Sequence, residues 1–296
     1  MANEVKLSSI KKNEKALKVV IYVVSIFFSI MTLFPFVMLI CNSYKSTYEV
    51  QASTLSLYSK APFKNLAFNW KQITSKDAFH PGVGFRNSFI VATLSTILNV
   101  YFSCLTAYAI TAYAIQAYEW KLKEGFNAMI MAVMMIPGTV TMIGFFQMAY
   151  KIGLVNKLSA LILPSIAAPM VVFFMRQYLQ ASLSMEIVQS ARIDGAGEFR
   201  IFNQIVIPLM KPAIATQAIF AYVGSWNNLF SPMILLTDKN KKTLPVMVSL
   251  LNGDIYKKEY GAIYLVLLIT VLPLIVVYAF LSKYIVEGVA LGGVKS

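Results

Sequence analysis

The chain has 296 residues, 58% of them hydrophobic and only 13% charged, with a formal net charge of +13 and a mean hydropathy of +0.65. Soluble domains carry about 25% charged residues, so this composition sets aside a water-soluble protein in favour of an integral membrane protein. Its Lys and Arg lie in short segments between apolar runs rather than on one face, which suits anionic lipid and not nucleic acid. Lys11, Lys12, Lys15 and Lys18 precede an apolar run over residues 19–41. That run exceeds the roughly 7–15 residues of a cleavable signal core, and no small-x-small cleavage pattern follows, so it reads as a retained first span. Further runs near the length of about 20 residues that a spanning helix needs cover residues 88–116, 126–150, 158–178, 213–236 and 262–285.

The expected fold is an all-α polytopic membrane protein with six transmembrane helices. Residues 1–18 form an N-terminal segment, residues 19–285 one membrane domain, and residues 286–296 a tail. Pro137-Gly138 interrupts the third run and Pro273 the sixth, as bundle helices tolerate when neighbours satisfy the freed backbone. The Lys and Arg of the loops divide evenly between the two sides, so the positive-inside count is tied. The lysines ahead of the first run then decide, and both termini are expected in the cytoplasm. Cys41 and Cys104 read as small buried hydrophobes. His80, the single histidine, has no Cys or His neighbours in sequence, and no metal site is expected.

The six runs hold no Asp, Glu or Lys in their interiors, and Arg176 lies near the end of the fourth. Ion-coupled carriers keep an ionisable group at depth, so a self-powered carrier is disfavoured. No G-x-x-x-x-G-K-[ST] loop is present to cradle ATP. Any driving energy must enter through a partner, and no cofactor is expected in this chain. The polar groups at depth are neutral: Asn99, Asn227 and Asn228. Asn99 has two readings, a contact for a neutral polyol and an interhelical hydrogen bond.

One polar island stands out, "SARIDGAGEFRIFNQIVIPLMKP" at residues 190–212. Ser184 before Glu186 and Ile187 marks a helix start, with Leu183, Ile187 and Ala191 on one face. Asp194-Gly195 signals a turn or helix end. Phe199, Phe202 and Val206 repeat at helical spacing, and Pro208 limits the second helix. Two short amphipathic helices meeting at a bend are expected between the fourth and fifth spans.

This island resembles the EAA loop of ATP-binding-cassette import permeases. Gln189, Ser190 and Ala191 stand where that family has Glu-Ala-Ala, and Gly195, Ala196 and Pro208 follow at the family's spacing. "RNSFIVA", "MMIPGTV", "GSWNNLFSPMILL", "TLPVMVSLLNGDIYKKEYGA" and "SKYIVEGVALGGVKS" extend the likeness to the carbohydrate-type, maltose-like branch over nearly the whole chain. The resemblance implies a permease subunit in a bacterial cell membrane with no ATPase site of its own. Its partners would be a second homologous permease, an ATPase dimer carrying ATP and Mg, an extracytoplasmic sugar-binding protein and a di- or oligosaccharide. A permease of the same class for a sugar phosphate, polyol or non-sugar solute is the alternative. A non-transporting membrane scaffold is a further one.

The family's glutamate is replaced by Gln189, which carries no charge. Glu186 or Asp194 is the candidate anion at the ATPase contact. Trp226 and Asn227 have two readings, as lining of a translocation path with Asn99 and as subunit core. The resemblance implies that residues Leu250, Leu251, Asn252, Gly253, Asp254, Ile255 and Tyr256 form a loop facing the binding protein. A plain solvated loop is the alternative.

Overall fold

Apolar runs of this length leave the backbone no water to bond, so it must close its hydrogen bonds within the segment. In the computed structural model, which describes residues 2–75, 80–116, 122–252 and 258–292, every regular element among those residues is helical. Four stretches are long and apolar enough to cross a bilayer: Leu17–Ser43, Pro81–Thr111, Ser159–Ser182 and Tyr260–Phe280. Two bent pairs, over residues 125–151 and 198–226, raise the number to six if each is one span. The expected fifth run over residues 213–236 is not one helix, because it breaks between Lys211–Trp226 and Phe230–Leu235.

The third run is one of these pairs. It is not a single rod but helix α5 (Leu122–Met134) and helix α6 (Gly138–Lys151), set at 100° to each other. Pro137 has no N–H to donate and is extended, with φ −61° and ψ 127°, so the ladder stops before it and restarts at Gly138. Pro273 behaves otherwise. The last helix, Tyr260–Gly292, runs through it without a break.

Contacts group the chain into two units. The first comprises Met1–Ile73 with Ile255–Leu268. Here α1 (Ala2–Ser43) is followed by α2 (Thr47–Ala52) and α3 (Pro62–Thr74). Lys45 is 1% exposed. Its ammonium gives its protons to Asn42 Oδ1 at 2.8 Å, Ser53 O at 3.0 Å and Ser56 O at 2.5 Å. Asn69, also buried, donates to Ser43 O at 3.0 Å and Lys45 O at 2.9 Å. Gly261 fits against these groups because a Cβ there would collide with Lys45 O and the Asn69 amide.

Glu49 organises the chain that follows. It closes a capping box with Ser46 at the start of α2. It also accepts from Lys60 N at 2.8 Å, Asn65 Nδ2 at 2.8 Å and Ser59 Oγ at 3.2 Å. Partial burial pushes its carboxyl up, but the hydrogen bonds from Lys60, Ser46 and Ser59 outweigh this and hold it below its ordinary 4.5.

The second unit comprises Thr74–Asp254 with Ile269–Ser296. Its central rod is α4 (Pro81–Gln116). Further elements are α7 (Ser159–Ile162) with the 3₁₀ turn Leu163–Ile166, α8 (Pro169–Ser182), α9 (Met185–Ile193) and α10 (Glu198–Ile201). After α10 come a π-helical turn (Phe202–Val206), α11 (Ile207–Leu209), α12 (Lys211–Trp226), α13 (Phe230–Leu235) and α14 (Leu244–Asn252). A buried core joins Val100, Cys104 and Ala107 of α4 to Met175 and Leu179 of α8, and to Val188, Phe202 and Val206.

A depressed carboxylate stabilises the fold only while it is charged. The Glu49 contribution is complete above about pH 4.5 and is lost as pH falls through its lower folded value. Hydrogen exchange at the Ser46 and Lys60 amides should therefore accelerate below that pH, and Glu49→Gln should show the faster exchange already at pH 7. Equal protection in the variant at pH 7 would contradict this assignment.

Candidate functional site

Two places in the second unit gather the residues singled out from sequence: an exposed elbow built by α9 and α10, and a cavity beside α4.

The elbow begins where expected. Ser184 precedes α9 in an extended conformation, although its hydroxyl caps nothing. Asp194 ends the helix, and Gly195 turns left-handed with φ +80°. Gly195 N–H bonds Arg192 O at 3.0 Å, and Ala196 N–H bonds Ala191 O at 2.9 Å. This pair of bonds is the Schellman closure, and the left-handed residue it needs explains the glycine. The second helix overruns its expected limit. Ile207 N–H reaches back to Phe202 O, a π turn, and helix continues through Pro208 to Leu209. The chain bends by 81° only between Leu209 and Lys211.

The faces differ from expectation by one position. Leu183 lies outside α9, in extended backbone, and the helix packs its Val188 face into the core. Val188 is then buried, and Ile187 is 48% exposed. Likewise Ile201 and Phe202 are buried while Phe199 is 68% exposed. Ile193 is 86% exposed. Three apolar side chains therefore point outward from an elbow whose inner face is packed. Around them Glu186, Ser190 and Asp194 are exposed, and Gln189 is half-buried.

Sequence reasoning did not find the contact that pins the elbow from inside. Glu198 Oε1 accepts from Arg192 Nε at 2.6 Å, and Glu198 Oε2 accepts from Tyr108 Oη of α4 at 2.8 Å. The available signal was an Arg in the last turn of one short helix and a Glu in the first turn of the next, across two glycines.

The cavity has a volume of about 570 Å³, within the range of about 300–1,000 Å³ common for small-molecule sites. Three helix breaks meet at its wall. They contribute Gly138, Pro164 with Ser165, and Ser225 with Asn228. Helix α4 adds Ser95 and Asn99, and Thr141, Ser231, Phe145 and Phe220 complete its polar and aromatic lining. No lining residue is charged. Ser95 Oγ and Asn99 Oδ1 are buried without a hydrogen-bond partner.

Asn99 thus lines the cavity, whereas Trp226 and Asn227 do not. Trp226 is 1% exposed, stacks on Tyr222 with centroids 6.0 Å apart and meets Phe85 edge-on. Its Nε1–H donates to Thr270 O at 3.1 Å. These are the surroundings of a packed aromatic. Asn227 is the exposed end of α12. Of residues 250–256, Leu250, Leu251 and the backbone of Asn252 end α14, while Gly253, Asp254, Ile255 and Tyr256 lie outside the described residues. Among the described residues, no cluster of His, Cys, Asp and Glu could hold a metal ion.

The described residues are thus helical, with long apolar stretches, an exposed elbow and a cavity of uncharged lining at helix breaks. Residues 108–290 match the family described as binding-protein-dependent transport system inner membrane component, and the chain belongs to that family. It is 31% identical to the arabinooligosaccharides transport system permease protein AraQ of Halalkalibacterium halodurans, over 91% of this chain and 93% of that one. It is 27% identical to the trehalose/maltose transport system permease protein MalG of Thermococcus litoralis, over 95% of this chain and 99% of that one. A chain of a bacterial ABC transporter that imports the acidic polysaccharide alginate shares the fold, with a TM-score of 0.76 at 20% identity over 92% of this chain and 97% of that one. The carbohydrate-type permease resemblance read from the sequence therefore holds.

The Gly195 turn yields a direct test. A Cβ at Gly195 would meet nothing within 4 Å, so substitution there tests backbone conformation alone. Gly195→Ala should cost about 1–2 kcal/mol in thermal unfolding of the detergent-solubilised protein. Gly195→Asn should cost less, because Asn tolerates the left-handed region. An unchanged melting temperature for the alanine variant would contradict the left-handed assignment.

Proposed function

We propose that the chain is the transmembrane subunit of an ATP-driven, binding-protein-dependent importer of neutral carbohydrate of di- or oligosaccharide size. It forms the translocation path with a second, homologous permease. It works with an ATPase dimer, which carries ATP and Mg, and with an extracytoplasmic sugar-binding protein. Both termini lie in the cytoplasm, and the elbow faces the same side. Residues 250–256 face the binding protein.

One observation carries the coupling part of this reading. Ile187, Ile193 and Phe199 stand outward on an elbow that is rigid behind them. Burying one such side chain in a partner is favourable by about 1.5–3 kcal/mol. Glu186 and Asp194, exposed at the two ends of α9, supply the negative charge that Gln189 lacks. The solute part rests on the cavity. Its amides and hydroxyls suit sugar hydroxyls and its phenyl rings suit sugar faces, while no cation is present to pair a phosphate or a uronate. A sugar-phosphate solute is therefore the weaker alternative. The names of the relatives point to oligosaccharides as well.

Two measurements test the docking. Ile193→Asp with Phe199→Asp should lower the ATPase recovered with the purified permease pair by about tenfold or more. Full recovery would overturn the docking site. Glu186→Gln with Asp194→Asn should weaken ATPase recovery in a salt-dependent manner, and unchanged assembly would show that neither carboxylate replaces the missing glutamate.

A further inference from the structure

Helix α4 touches each functional region of its unit. At its start, Asn87 Nδ2 donates to Asn240 O at 3.0 Å and Lys242 O at 3.1 Å. Ser88 Oγ accepts from Leu244 N at 2.8 Å, on the first residue of α14. In its middle, Ser95 and Asn99 line the cavity. Near its end, Tyr108 holds the elbow. Tyr101 and Tyr108 are seven residues apart, hence on one face two turns from each other. Phe202 lies between their rings. It meets Tyr101 edge-on at 5.6 Å and lies near-parallel to Tyr108 at 5.8 Å. Phe202 is fully buried. The polar half of the grip is the Glu198 carboxylate, which takes Tyr108 Oη on one oxygen and Arg192 Nε on the other. One side chain thus ties both elbow helices to α4.

We infer that Tyr108 and Glu198 are the mechanical link that passes movement of the elbow to α4, and so to the cavity wall and the α14 end. They are positioning residues for transport, distinct from the outward side chains that dock the ATPase. The inference rests on the elbow being the docking site. Its physical basis is the unequal strength of the joints. The outer face of the elbow offers apolar contact, which is non-directional. The Tyr108–Glu198–Arg192 chain is a charge-assisted hydrogen-bonded network, short and directional. A helix gripped by both ring packing and such a network follows a rigid-body rotation of the elbow. Without the hydrogen bond the rings can slide, and the elbow turns with less effect on α4.

The test uses the full complex in vesicles, with the homologous permease, the ATPase dimer and the sugar-binding protein, and reads solute imported per ATP hydrolysed. Tyr108→Phe keeps the ring and removes the hydroxyl. Glu198→Gln keeps the shape and removes the charge. Each should leave the ATPase content of the complex and its hydrolysis rate within about twofold of wild type while solute per ATP falls by about tenfold, as loss of a hydrogen bond to a charged group implies. The double variant should be no worse than the more severe single one, because the two groups act as a unit. An unchanged ratio in Tyr108→Phe overturns the inference, even if Glu198→Gln fails to assemble. Loss of ATPase from the Tyr108→Phe complex also overturns it, by placing the hydroxyl in docking. If the wild-type permease recovers no ATPase, the docking reading itself has failed, which is a different result.

Discussion

A break in a spanning helix exposes amides and carbonyls that hydrocarbon cannot satisfy, so it must sit where protein or a polar space shelters it. In this chain three breaks are sheltered in one place. The Pro137-Gly138 bend, the 3₁₀ turn before Ala167 and the end of α12 near Asn228 all border the same cavity. Given the breaks, the cavity follows, along with its lining of small and neutral residues. Helix α4, which lines it, is unbroken over 36 residues, and α15 (Tyr260–Gly292) runs 33 residues through Pro273 without a break. One proline therefore shapes the cavity while another is absorbed, and the difference is whether the ladder restarts in line or turned by 100°.

The elbow shows the complementary arrangement. It is small, polar and outside the apolar runs, yet its inner face is as well buried as any in the unit. That combination is what the proposed coupling role requires. Three outward apolar side chains would be a liability on a free surface. On the proposed reading they are the face that meets the ATPase.

Much of this was legible in the sequence. Four of the apolar runs, the Asp194-Gly195 turn and the start of α9 follow from local chemistry, and the structure agrees with them; the run over residues 213–236 instead divides into α12 and α13. The facing of Ile187 and Phe199 was not legible, because which face of a short helix is buried depends on what packs against it, here α4 and α8 closing on Val188, Ile201 and Phe202. The Tyr108–Glu198 contact spans 90 residues, and no local pattern reports a pairing at that separation. Trp226 was ambiguous for a similar reason. Its role depends on Tyr222, Phe85 and Thr270, and only Tyr222 is near in sequence.

Lys45 and Glu49 lie four residues apart, yet the hydrogen bonds that satisfy each run to neutral groups: carbonyls and an amide oxygen for the lysine, N–H and O–H donors for the glutamate. Mobile ions weaken attraction between opposite exposed charges far more than they weaken a short bond between a charge and a fixed dipole. The first unit therefore carries charge at its centre without depending on the salinity around it. A segment fastened in this way keeps one shape in dilute water and in brine.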